Sequence, residues 1–168
     1  MGSGTRQQAG GRSYRQGQAL ERYLERRALK EKLWLEKHTP AMRPTGARHR
    51  GLPLFVPIKK GFVDYTLILP GGGSVHFDAK TCGHQTRWPL PPSLRHTKPQ
   101  GHQSKKLAAL VSSGHRAGIY LRSLKGGRDY FIPWTAQGPP FEGASAAWEE
   151  LERYRVDTEA TLLSALTG

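Results

Sequence analysis

Between Phe62 and Thr81 apolar and polar residues alternate on both sides of Pro70-Gly71-Gly72-Gly73, the period-2 signature of two strands joined by a turn where glycine supplies positive φ. The pattern predicts strands over Phe62 to Leu69 and Ser74 to Thr81. Upstream, Leu20, Leu24 and Ala28 recur every four residues among Glu, Arg and Lys, which predicts an amphipathic helix from Ala19 to about Lys32. A short strand, Leu33 to Lys37, follows. Downstream, Trp88 to Pro99 is a proline-rich loop, and Gly101 to Ser113 is a helix with Gln103, Leu107, Leu110 and Val111 near one face, closed by Gly114. A second hairpin is predicted over Arg116 to Leu124 and Arg128 to Trp134, turning at Lys125-Gly126-Gly127. After Gly138-Pro139-Pro140, Ser145 is positioned to cap a helix to about Arg155 and Asp157 a last one to Ala165. Trp148, Leu151 and Tyr154 sit at helical spacing as packing residues.

The chain has 168 residues, enough for one domain with a modest core. Residues 1–18 are rich in Gly, Gln, Ser and Arg and nearly free of apolar side chains, so they are expected to be a flexible basic arm before a single domain over 19–168. Residues 43–61 carry Arg43, Arg48, Arg50, Lys59 and Lys60 without an acid, broken by prolines; a projecting basic stalk or loop is expected there. Residues 141–168 hold the C-terminal helices. The net charge of +13 and pI near 10.3 favour nucleic acid as partner over acidic proteins or membranes. The lone Cys82 cannot form an internal disulfide, and neither a membrane-length apolar run nor a signal-peptide core occurs. A cytoplasmic protein, nucleoid-associated or phage-encoded in a bacterial host, is the expectation.

Charge also isolates candidate chemistry. From Lys37 to Arg128 there are sixteen Lys and Arg residues and two acids, Asp64 and Asp78, the latter two positions before Lys80. Polyanion binding penalises carboxylates, so their retention beside lysine suggests a divalent cation acting on phosphate, as in a metal-dependent nuclease. Strand alternation puts His76, Asp78 and Lys80 on one side and Val75, Phe77 and Ala79 on the other. A pivot near Gly71 sets Asp64 opposite Asp78; a pivot near Gly72 sets it opposite Lys80. Directly opposed Cβ atoms lie about 4.5–5.5 Å apart, within reach of one hard cation such as magnesium. The plainer alternative is a cross-strand Asp64–Lys80 salt bridge worth under about 1 kcal/mol, with Asp78 solvated. Trp34, Phe55, Trp88 and Trp134 are candidates for base stacking or for core, and Phe55 is the one candidate wedge. His76 is expected to touch DNA or solvent, and no zinc or ATP motif is present.

A strand aspartate, a turn and an Asp/Glu-x-Lys on the next strand resemble the PD-(D/E)xK nuclease pattern, with Val63 in place of its usual proline. More narrowly, Asp64-Tyr65, Phe77-Asp78-Ala79-Lys80, Trp88-Pro89-Leu90 and His102-Gln103 resemble, in that order, elements of the RecU-type Holliday junction resolvases. The resemblance runs from about Gln18 to Trp134, with Leu20-Glu21 and Lys37-His38-Thr39-Pro40 upstream. Asp78 stands where that family usually has glutamate, and Phe62 where it has a threonine metal contact. The resemblance implies an α/β, restriction-endonuclease-like mixed sheet flanked by helices, and a homodimer that resolves four-way junction DNA by paired nicks. It implies that Asp64, Asp78, the Ala79 carbonyl and Gln103 hold Mg2+ (or Mn2+), that Lys80 stabilises developing charge, and that Glu21 takes part from the first helix. Two other readings compete with it: a noncatalytic basic nucleic-acid-binding protein, and a nuclease of the same superfamily acting on linear or forked DNA.

Overall fold

Glycines 71, 72 and 73 all adopt positive φ (84°, 103° and 85°), and the tight reversal they allow organises the structure around one hairpin. The computed structural model describes residues 4–39, 42–49, 52–57, 63–84, 86–95, 101–156 and 161–167, with side chains described outside 4–14, 42–47, 49 and 52–57. In chain order the elements are α1 (Gly4–Lys30), β1 (Trp34–Lys37), β2 (Met42–His49), β3 (Leu52–Pro57), β4 (Tyr65–Ile68), β5 (Ser74–Cys82), β6 (Arg87–Pro89), α2 (His102–Ser112), β7 (Arg116–Ser123), β8 (Arg128–Pro133), β9 (Ser145–Ala147), α3 (Trp148–Leu151), β10 (Arg155–Val156) and α4 (Leu162–Thr167). Six strands form one sheet in the order β1-β4-β5-β7-β8-β10. Among the described residues only β5 and β7 pair in parallel; their connection contains α2, as a parallel crossover requires.

Alternation along the strands divides the core in two. Tyr65, Leu67, Val75, Phe77 and Tyr120 face Leu20, Leu24 and Ala28 of α1 and Leu162 and Leu166 of α4. Ala117, Ile119, Leu121, Tyr130 and Ile132 face Leu107, Ala108 and Leu110 of α2, together with Trp88, Leu90, Trp134 and Leu151. The architecture is thus α/β, a mixed sheet with helices on both faces. Helix α2 ends as its sequence indicates. Gly114 (φ 84°) donates to Val111 O at 3.0 Å and His115 donates to Leu110 O at 3.0 Å, a Schellman closure.

Two expectations need correction, and the form of a third segment becomes visible. Helix α1 begins at Gly4, so most of the expected arm has helical backbone; Arg, Gln and Ala are good helix formers, and each glycine costs only about 1 kcal/mol relative to alanine. Within the expected basic stalk or loop, β2 and β3 pair as an antiparallel ribbon with a register shift between Pro44 and Arg48. Its prolines are tolerated because both strands of a two-stranded ribbon are edges. The expected helix from Ser145 to Arg155 is instead β9, the single turn of α3, a 3-10 turn (Glu152–Tyr154) and β10. Pairing of Ala146 with Trp88 draws the start of that segment into a ladder, so tertiary context overrides its helical spacing. Asp157 lies outside the described residues; Thr161 Oγ1 instead accepts the Ser164 N–H at the start of α4. No helix among the described residues is long and apolar enough to cross a membrane.

Candidate active site

The β4–β5 register pairs Tyr65 with Phe77, Thr66 with His76 and Leu67 with Val75. Continued one step, it sets Asp64 opposite Asp78, the alignment of a turn pivoting on Gly71. Gly72 N–H donates to Leu69 O and Leu69 N–H to Gly73 O, each at 3.1 Å, which fixes that pivot. Asp78, Lys80, Thr66 and His76 consequently share the sheet face that α2 covers farther along, over β7. Local turn chemistry therefore decides which charged groups meet.

They meet closely. Asp64 N–H donates to Asp78 Oδ1 at 2.9 Å, Ala79 N–H to Asp64 Oδ2 at 3.0 Å, and Lys80 Nζ to Asp64 Oδ2 at 3.3 Å. Lys80 Nζ also lies 3.7 Å from Asp78 Oδ2, an ion pair too long for a hydrogen bond. The plainer alternative is half met: the Asp64–Lys80 bridge exists, but Asp78 is not solvated. It is 1 % exposed, and its Oδ2 is buried without a hydrogen-bond partner. Burial pushes the Asp78 carboxyl above the usual carboxylate range, opposed by Lys80 and reinforced by Asp64. An acceptor left open in a low-dielectric site is costly unless a cation can use it.

Asp129 provides an internal control, since it too is 1 % exposed. Arg122 holds it with two bonds, at 2.7 and 2.6 Å, and the Tyr120 hydroxyl donates at 2.7 Å. A structural buried carboxylate in this fold is fully satisfied; Asp78 is not.

The donor set suits a hard divalent ion. Asp64, its side chain 42 % exposed, is open to solvent, and Asp78 supplies the unused oxygen. Magnesium is bound by one or two carboxylates and keeps several waters, so a pair is sufficient. Among the described residues no group of three or more His, Cys, Asp and Glu side chains is arranged to hold a metal. The chain matches no protein-family model and no curated protein.

The remaining expected residues divide. The contact shown at Ala79 is through its N–H, whereas the expectation concerned its carbonyl. Gln103 lies in the first turn of α2, where its Oε1 accepts the Ser93 hydroxyl at 2.6 Å; no described hydrogen bond joins it to either aspartate. Glu21 pairs with Lys37 Nζ at 2.7 Å, with Glu25 at 3.7 Å from the same ammonium, so both sit on the far face of the sheet. The buried Tyr65 hydroxyl on that face has no hydrogen-bond partner, and its pKa is raised first by burial, then by Glu21, Glu25 and Asp64. Arg48 is exposed on the ribbon. Arg43 and Phe55 belong to β2 and β3, but their side chains, and Arg50, Lys59, Lys60 and Phe62 entirely, lie outside the described residues. Trp88 and Trp134 are core, 2 % and 4 % exposed, and Trp134 Nε1 donates to Ser104 Oγ; Trp34 is 72 % exposed. Trp148 stacks on Tyr130 with ring centres 5.5 Å apart, in keeping with its packing role.

Sequence reasoning missed a polar chain beside the carboxylates. Thr66 Oγ1 is bonded to His38 Nε2 at 2.8 Å and to His76 Nδ1 at 2.9 Å, and His76 Nε2 to Ser74 Oγ at 2.8 Å. His115 meets His76 edge-on at 5.3 Å. Burial lowers the His76 pKa, helped by His115 and His38, so the ring favours its neutral form. The signal was the shared parity of Thr66 and His76 across the turn. A separate cleft of about 580 Å3 is lined by Arg116, Phe131, Trp134, Arg155 and Leu166, and neither aspartate borders it.

Proposed function

We propose that this chain is a metal-dependent, structure-selective DNA endonuclease with a restriction-endonuclease-like core, acting as a homodimer on four-way junctions by paired nicks. One observation carries the proposal. A buried aspartate with an unused oxygen, Asp78, faces a solvent-accessible one, Asp64, with Lys80 within 4 Å of both, in a chain of net charge +13. The mixed sheet and the exposed Arg48 of the ribbon fit this reading, as does the resemblance of the motif order to that of RecU-type resolvases.

Asp64 and Asp78 would hold the ion, with water completing its shell. When bound, Mg2+ or Mn2+ supplies a water of lowered pKa and neutralises charge on the phosphate. The chain's own groups do the rest. The Ala79 N–H fixes the Asp64 carboxylate, and the Asp64 N–H fixes that of Asp78, so neither needs to reorganise. Lys80 Nζ, within 4 Å of both carboxylates, would stabilise charge on the attacked phosphate. Recognition depends on shape and phosphates, with Arg48 and the other basic residues of the ribbon segment as contacts.

The experiment uses a labelled synthetic four-way junction, with linear and forked duplexes alongside, and Mg2+. Junction cutting that Asp78→Asn lowers by more than about 100-fold, with binding retained, is expected; even an outer contact to a metal is commonly worth 10–100-fold. Equal cutting of linear or forked DNA would replace junction selectivity with a broader nuclease. One observation favours a noncatalytic DNA-binding protein: Lys80 already lies near both carboxylates. Tight junction binding without cutting in Mg2+ or Mn2+ would establish that reading.

A further inference from the structure

Four large apolar side chains are exposed among the described residues, and two of them, Trp34 (72 %) and Ile68 (41 %), are partners across β1 and β4. Ile68 in turn pairs with Ser74 of β5. Alternation places this row on the face that carries Asp78. Toward the site the next row holds Glu36, Thr66 and His76, and the row after it Asp64 and Asp78. Four residues of strand separate the rows of Trp34 and Asp78, about 13 Å, no more than about four stacked nucleotides at about 3.4 Å each.

We propose that the Trp34 indole, backed by Ile68, is a stacking platform for an unpaired DNA base a few nucleotides from the phosphate at the carboxylates. The inference rests on nucleic acid lying across this face. Size argues for a base rather than a protein. A stable protein interface buries about 800 Å2 on each partner, whereas one indole and one isoleucine offer little more than the area of a nucleobase. No ring contact engages Trp34 among the described residues, and the partner favoured by a +13 chain is a polyanion. Stacking supplies affinity where charge alone gives no grip on a base, and it selects unpaired bases because paired ones hide their faces. The row of Glu36, Thr66 and His76 between platform and carboxylates then borders the sugar-phosphate path, with His38 bonded to Thr66 beside Asp64.

The test is binding in EDTA, where no cutting intervenes, of a short labelled oligothymidylate and of a labelled four-way junction. Trp34→Ala should weaken oligothymidylate binding roughly tenfold or more, with an unchanged salt slope, while Trp34→Phe stays within about threefold. Oligothymidylate should quench the wild-type indole emission, and Trp34→Ala should lose that quench, because Trp88 and Trp134 are buried and Trp148, partly exposed, has its ring stacked on Tyr130. Wild-type affinity and quenching in Trp34→Ala would overturn the platform. A change of oligomeric state in Trp34→Ala, with affinity unchanged, would also overturn it and make the patch a contact between copies. The two proposals fail separately. Trp34-dependent binding without Mg2+-dependent cutting sinks only the nuclease, and cutting with Trp34-independent binding sinks only the platform.

Discussion

Asp78 and Asp129 are equally buried, yet substitution should push them in opposite directions. For Asp129, asparagine removes the charge that Arg122 and Tyr120 are arranged around, and should cost about 3 kcal/mol, the low end for breaking a buried pair because Arg122 is partly exposed. For Asp78, the folded-state pKa is raised, so the folded protein binds the proton more tightly than the unfolded chain. The carboxyl then costs nothing below the unfolded pKa, near 3.9, and its penalty grows as pH rises toward the folded value. Without added metal ion, Asp78→Asn should therefore melt higher than wild type at pH 7, and the gap should close below about pH 4. Asparagine can still accept the Asp64 N–H through Oδ1, so the hairpin should persist. Melting curves of both variants across that range check the pair; an Asp78→Asn protein destabilised at pH 7 would mean that Lys80 outweighs burial.

At the scale of elements, close approach rather than alternation sets the tolerances. A Cβ built on Gly118 of β7 would lie 2.5 Å from Ile132 O and 2.9 Å from the Phe131 ring of β8. Gly118→Ala should cost about 1–3 kcal/mol, read from the urea midpoint, because a backbone carbonyl cannot yield as a flexible side chain can. One residue inserted among Gly71–Gly73 that slips the β4–β5 register would turn buried Val75 and Phe77 out of the core together with Asp78, so it should lower the urea midpoint and abolish cutting at once. These limits mark how far the sequence is legible. The β4–β5 hairpin, α2 and the β7–β8 hairpin lie where period and turn residues place them, because each is specified within about 25 residues of chain. The burial of Asp78 was not legible: Ile119, its neighbour in the parallel pair, lies forty-one positions along the chain. Nor was β9, whose Ala146 is held by Trp88 rather than by its own neighbours. The β2–β3 ribbon was hidden by Pro44, Pro53 and Pro57, which disqualify a central strand but not an edge.

For the whole molecule, charge and symmetry make separate demands. If about five phosphates are neutralised, junction affinity should fall with a log–log salt slope near −4.5, and Arg48→Ala on the ribbon should reduce that slope by about one. Symmetry is tested differently. A four-way junction is two-fold symmetric, so a homodimer with one carboxylate pair per protomer delivers both nicks within a single encounter, whereas a monomer leaves the second to chance. On a supercoiled plasmid carrying an extruded cruciform, one nick releases the torsion and lets the cruciform reabsorb; linear product therefore requires two cuts before the junction is lost. The wild type should yield linear DNA directly. Co-refolding it with an equal amount of Asp78→Asn protein should produce mixed dimers in which one protomer cuts and the other only binds. Linear product should then give way to nicked circles, while total binding stays constant. If wild-type protein makes nicked circles alone, or if the mixture lowers linear product with no rise in nicked circles, the two cuts are not coupled through a dimer.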